Sequence, residues 1–146
     1  MAYKALDIAN ELLRLADRED DGDLMTNLKL QKMLYYQQGF HLAYFGTPLF
    51  DEEIEAWMYG PVVPAVYENY ECHGRNGIEP DESRWITLGD EEWRLFVKVF
   101  DIYGQYSAIG LMNMTHSEAP WINTPTGRGN IISKESMREF FKTRLN

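Results

Sequence analysis

The chain has a single cysteine, Cys72, in 146 residues, so no internal disulfide can form and nothing calls for an oxidising compartment. Its three histidines, His41, His73 and His116, lie far apart, and none has a partner at metal-ligand spacing. No apolar run approaches the roughly 18 residues that a membrane-spanning helix needs. The N-terminal residues are broken by Lys4 and Asp7 and lack the apolar stretch of a secretory signal. A cytoplasmic protein without metal, cofactor or membrane segment is therefore expected. Basic charge is scarce as well: 14 Lys and Arg stand against 23 Asp and Glu, for a net charge of −9 and a pI near 4.8. A nucleic-acid surface wants a basic face, so nucleic acid is not expected as the main partner.

The imbalance is uneven. Residues 1–127 hold 9 Lys/Arg against 21 Asp/Glu, whereas residues 128–146 hold 5 against 2, which reads as a basic helix face. The acidic body suits a basic partner, and it equally suits plain solubility. Apolar residues make up 45% of the chain and aromatics 14%, too many for a disordered protein. One domain spanning residues 1–146 is the default for this length, and it buries roughly 68–70% of its unfolded surface without staples.

Apolar periodicity predicts mainly α structure with a small antiparallel β element, an α+β bundle of five to six helices. Ala5, Ile8, Ala9, Leu12, Leu13 and Ala16 recur at helical spacing and predict a helix over 3–18. The acidic stretch from Arg18 to Asp23 ends it; it lacks the residue order and closing Glu of an EF-hand loop. Thr26 fits the N-cap of a second helix that is apolar on most sides, hence central, with Gly46 just past its end. Asp90, Ser107 and Ser133 are expected to cap three later helices. Their inward residues are Trp93, Phe96, Val97 and Phe100, then Leu111, Met112 and Thr115, then Met137, Phe140 and Phe141.

Residues 57–64, Trp-Met-Tyr-Gly-Pro-Val-Val-Pro, are the most unusual stretch. Two prolines and a glycine interrupt an apolar, aromatic run, where they are costly unless the chain turns. Residues 53–59 alternate as a strand, with Ile54, Ala56 and Met58 on one face and Glu53, Glu55, Trp57 and Tyr59 on the other. A turn follows at Gly60-Pro61, then a short helix with Pro64 at its first position and Val62, Val63, Val66, Tyr67 and Tyr70 along its stripe. Trp85–Leu88 could pair with this strand. If Ile54, Ala56 and Met58 face the core, Trp57 and Tyr59 form an interface patch with Pro61 and Val62 beside it, unless another helix covers that face. Lys29 and Lys32 stand out on the apolar second helix. Either their stems pack while their heads stay wet, or they present charge to an acidic partner patch.

No set of residues makes a convincing catalytic group. His116 and Glu118 are close enough for acid–base work, but local hydrogen bonding is the plainer reading. Cys72-His73 has the types of a thiol–base pair without its context, and adjacent residues are poor ligands for one ion. Gly127-Arg-Gly-Asn lacks the lysine and preceding strand of a phosphate loop.

Several motifs occur in a fixed order: Ala5-Leu-Asp-Ile-Ala-Asn, Leu30-Gln-Lys-Met-Leu-Tyr-Tyr, Gly39-Phe-His-Leu-Ala-Tyr-Phe-Gly, Pro48-Leu-Phe, residues 54–67, Leu111, Thr115-His116 and Pro120-Trp121. Together they resemble the Panacea antitoxin domain, the family of SocA-like and phage-associated GepA-like proteins. Gly60, Pro64, Tyr67, His116 and Trp121 belong to its structural pattern. Cys72–Trp85 follows no family pattern, and Gly110 stands where a helix former is expected. The resemblance implies a binding module rather than an enzyme: an antitoxin that neutralises a cognate protein toxin by direct contact. The alternative it implies is an adaptor that delivers a bound toxin to a AAA+ protease.

Overall fold

Helix α2, Asn27–Phe45, is the element around which the rest is built. Sixteen of its residues are buried, and it touches helices α1 (Ala5–Asp17), α3 (Pro64–Tyr70), α4 (Asp90–Tyr103), α5 (Ala108–His116) and α7 (Lys134–Lys142). The computed structural model describes residues 2–18 and 25–145, so the acidic stretch at 19–23 lies outside the described residues. Thr26 caps α2 by accepting the Lys29 N–H, and Gly46, at φ +78°, ends it in the left-handed region. Gly39 allows the closest packing. A Cβ there would sit about 2.1 Å from the Phe141 ring, so only glycine lets α7 approach this side of α2.

The polar residues of this buried helix fasten the segments around it. Gln38 donates to Phe50 O (2.8 Å) and accepts from Leu49 N (2.8 Å), and Gln37 donates to Phe96 O (2.9 Å). His41 lies between Thr47 O and Glu92, each 2.6 Å away. Glu92 also accepts from Tyr3 (2.7 Å); burial works to raise its carboxyl, but the bonds from His41 and Tyr3 outweigh this and hold it below the usual range. Each bond satisfies a group that would be costly to bury alone.

The sheet is small: β1 (Ile54–Trp57) lies between β2 (Gly60–Val62) and β3 (Ile131–Ile132), antiparallel to both. A four-residue helix, α6 (Ala119–Ile122), and a 3₁₀ turn at Glu71–His73 complete the described elements. Seven α-helices are therefore present among the described residues, the one not anticipated being α6.

Three expectations at the level of elements are corrected. Trp85–Leu88 does not pair with β1, because β2 and β3 already occupy both of its edges; Trp85 is 69% exposed. Gly60-Pro61 is not the turn but part of β2, and the Trp57↔Gly60 register leaves Met58-Tyr59 as the loop. Gly89 rather than Asp90 holds the N-cap of α4, and Glu92 accepts the Gly89 N–H (3.3 Å). Gly110 fits its place: it lies in the first turn of α5, where its N–H is capped by Ser107 Oγ (3.0 Å).

Candidate functional site

The hairpin β1–β2 gathers motifs that lie some 60 residues apart in the chain. Its loop carbonyls are held from α5 and α6: Trp121 Nε1 donates to Trp57 O (2.9 Å), and His116 Nε2 lies 3.1 Å from Met58 O. The two rings also pack on each other, with centroids 4.2 Å apart. His116 therefore makes a long-range bond rather than a local one, and Glu118 points elsewhere.

Gly60 is fixed twice over. Its φ is +106°, and a Cβ there would meet Lys32 Cε at 2.6 Å and Thr115 Oγ1 at 2.9 Å. Met58 and Tyr59 take no positive φ, so Gly60 supplies the one the loop needs. Pro61 and Val62 are buried in β2, and Lys32 Nζ donates to Pro61 O (3.1 Å). Lys32 is fully buried, and burial pushes its ammonium down to about 7. Lys29 is 2% exposed and its Nζ donates to Gly104 O (2.8 Å). Neither lysine has a wet head or a surface charge to present; both tie α2 to another segment. Gln31 adds a third tie by accepting Val63 N–H (2.9 Å), just before Pro64 opens α3.

Beyond this held base the hairpin is bare. Met58 is 67% and Tyr59 62% exposed, and neither side chain makes a hydrogen bond among the described residues. Met58 was expected in the core. The alternation that places it there stops at Trp57, because the next two residues are loop rather than strand. Trp57 is half-buried. Its ring packs edge-on against Tyr67 (5.0 Å), the Arg128 guanidinium lies 4.2 Å over it, and its Nε1 donates to Glu55 (2.9 Å).

A groove of about 730 Å³ opens beside the hairpin, between α2, the end of β2, α3 and the loop at 126–128. Trp57, Met58, Tyr59 and Tyr67 line it, with Lys32 on its floor and Arg75 and Arg128 at its rim. Arg75 and Arg128 do not stand out in the sequence. Loop 127–130 is no phosphate loop but a brace for β1: Gly127 N–H bonds Ala56 O (2.8 Å) and Gly129 N–H bonds Glu55 (2.8 Å), and Arg128 between them lies over Trp57.

Glu118 serves the interior. It accepts from Tyr35 and Tyr36, each at 3.0 Å, beside a cluster in which Tyr36 stacks on Tyr103 and both tyrosines meet Phe141. Burial pushes its carboxyl up to about 7, against the two hydroxyl donors and the Arg144 charge. The Cys72 thiol lies 3.6 Å from His73 Nδ1 on an exposed turn, and the same nitrogen is 3.3 Å from Tyr70 O. Among the described residues no three His, Cys, Asp or Glu side chains are grouped to hold a metal ion, and no helix is long and apolar enough to cross a membrane.

These features define an α+β domain organised on one buried helix, with a hairpin held from below and open at its tip. The chain belongs to the SocA-like Panacea-domain antitoxin family, whose model matches residues 30–122, from the first turn of α2 through the hairpin to the end of α6. It is similar to Antitoxin SocA of Caulobacter vibrioides (strain NA1000 / CB15N), 44% identical over 123 residues, a match that covers 72% of this chain. The chain spans 62% of that relative's length. No solved structure matches the chain.

Proposed function

We propose that this chain is the antitoxin of a toxin–antitoxin pair and neutralises a cognate protein toxin by direct binding, with no catalytic step. Family membership supports the antitoxin role. The observation that carries the contact surface is the hairpin tip. Two large apolar side chains stand exposed on a base held by Lys32, His116 and Trp121, within the matched segment. A rigid, pre-organised apolar projection loses little entropy on docking, and such residues serve as interface anchors. Tyr59 and Trp57 remain the proposed contacts. Met58 joins them, whereas Pro61, Val62 and Lys32 support the surface from within and Lys29 is tied instead to the end of α4.

Co-expression with the product of the neighbouring gene tests this reading. Growth is rescued, the two proteins co-elute as a stable complex, and toxin abundance stays constant in rescued cells. Rescue accompanied by protease-dependent disappearance of the toxin would replace neutralisation by the adaptor reading. A neighbour that is harmless alone, or lethal despite excess folded antitoxin, would remove the antitoxin reading altogether.

A further inference from the structure

We infer that the groove beside the hairpin takes a short extended segment of the partner in which an aromatic or large aliphatic side chain stands next to one or two carboxylates. This rests on the antitoxin reading and specifies the partner's chemistry at that site.

The local charge carries the inference. The chain as a whole is strongly acidic, yet the exposed charges that line this groove are two of its 14 Lys and Arg, Arg75 and Arg128, against one of its 23 Asp and Glu, Glu71. Arg75 and Arg128 are exposed and form no ion pair among the described residues. Arg128 is already oriented over the Trp57 ring, so little is lost in fixing it for a carboxylate. Beside the two arginines the groove carries an aromatic and apolar lining: the edge-on pair of Trp57 and Tyr67, with the exposed Met58 and Tyr59. About 730 Å³ exceeds what one side chain fills and suits a few residues of extended chain.

The acidic body narrows the occupant further. A long run of phosphates would be repelled by the rest of the surface, which disfavours nucleic acid. A partner that is basic or neutral overall but carries one short acidic, apolar segment matches both fields at once. Such an inversion of charge within one interface also rejects wrong partners.

Selection of a phage-displayed random peptide library on the full chain tests this without the toxin. Enriched peptides carry Asp or Glu beside Phe, Trp, Tyr, Leu or Met. A labelled enriched peptide loses at least tenfold in affinity with Arg75→Glu/Arg128→Glu, and less than twofold with the control Lys142→Glu. The double variant keeps the circular-dichroism spectrum of the parent, since both side chains are exposed. No enrichment, enrichment of peptides lacking acids, or tighter binding of a 20-nucleotide oligothymidylate would overturn the inference. So would loss of peptide binding in Arg94→Glu/Lys98→Glu with Arg75→Glu/Arg128→Glu unaffected, which would move the site to a second groove, of about 590 Å³, lined by Phe40, Tyr44, Arg94, Lys98, Tyr103 and Arg144. Growth rescue separates the two readings. If the wild type rescues and Arg75→Glu/Arg128→Glu rescues equally well, the groove is not where the toxin docks and the antitoxin role stands. If the wild type fails to rescue, the antitoxin role falls while the peptide selection still judges the groove.

Discussion

At the base of the hairpin, the carbonyls of Trp57, Met58 and Pro61 accept from Trp121, His116 and Lys32, three side chains on three different helices. At its tip, one bond further out, the side chains of Met58 and Tyr59 stand mostly in solvent. A short two-stranded hairpin is marginal in water by itself. Here β3 covers one edge, and long polar side chains from a buried helix replace the ladder on the other. The contrast teaches that residues beside each other in one motif divide into those that hold its shape and those that are left for contact. Lys32 and Tyr59 carry comparable apolar stems and a polar head, and only their positions relative to Gly60 decide which role each has.

The largest expected effect lies at the base. Gly60→Val forces a β-branched residue to φ +106° and drives its Cβ into Lys32 and Thr115. Strain and overpacking together cost about 3–5 kcal/mol, a large fraction of a domain's stability. Urea unfolding checks this, and an unchanged midpoint would show that the base can relax.

Next come two buried ionisable groups with opposite pH dependence. Glu118 is raised from 4.5 to about 7 in the folded state, so its contribution is complete below pH 4.5 and is lost as pH rises to 7. Lys32 is lowered from 10.5 to about 7, so the unfolded chain holds a proton that the folded one lacks, and stability is regained as pH rises from 7 towards 10.5. At roughly 1.36 kcal/mol per pKa unit the two effects amount to about 3–5 kcal/mol each, and together they place a stability minimum near pH 7. In a urea series across pH, Glu118→Gln flattens the fall between pH 4.5 and 7, and Lys32→Met flattens the rise above pH 7. A wild-type profile with its maximum at pH 7 would contradict both assignments.

Trp121→Phe is smaller. It removes the indole donor to Trp57 O, for about 1 kcal/mol. Substitutions at the tip sit at the low end, within about 0.5 kcal/mol, as expected for exposed side chains.

Much of this fold was legible in the sequence because the helices carry their own signals. Thr26, Ser107 and Ser133 cap where they should, Pro64 opens α3, and Gly46 closes α2. Helix α2 was recognisable as central because its apolar residues leave no polar stripe. What escaped is long-range. A Gly-Pro pair is a turn signal locally, but register with β1 makes it the first half of β2. Period-two alternation carried Met58 inward because nothing local marks the strand's end at Trp57. The two lysines, read as snorkelling or as presented charges, are neither, since their acceptors, Pro61 O and Gly104 O, lie 29 and 75 residues away. His116 was likewise assigned a local partner and found one 58 residues off. Arg75 and Arg128 gave no signal, because an arginine in a loop acquires meaning only from what the fold sets beside it.

The division between base and tip is tested most directly by pairing affinity with melting temperature in Tyr59→Ala and Met58→Asp, measured with the cognate toxin. Both variants keep the parental melting temperature within about 2 °C and bind the toxin at least tenfold more weakly, or about 1.4 kcal/mol. Variants that melt far below the parent, or that fold normally and bind as tightly, would contradict the claim that this tip is a free surface held ready for the partner.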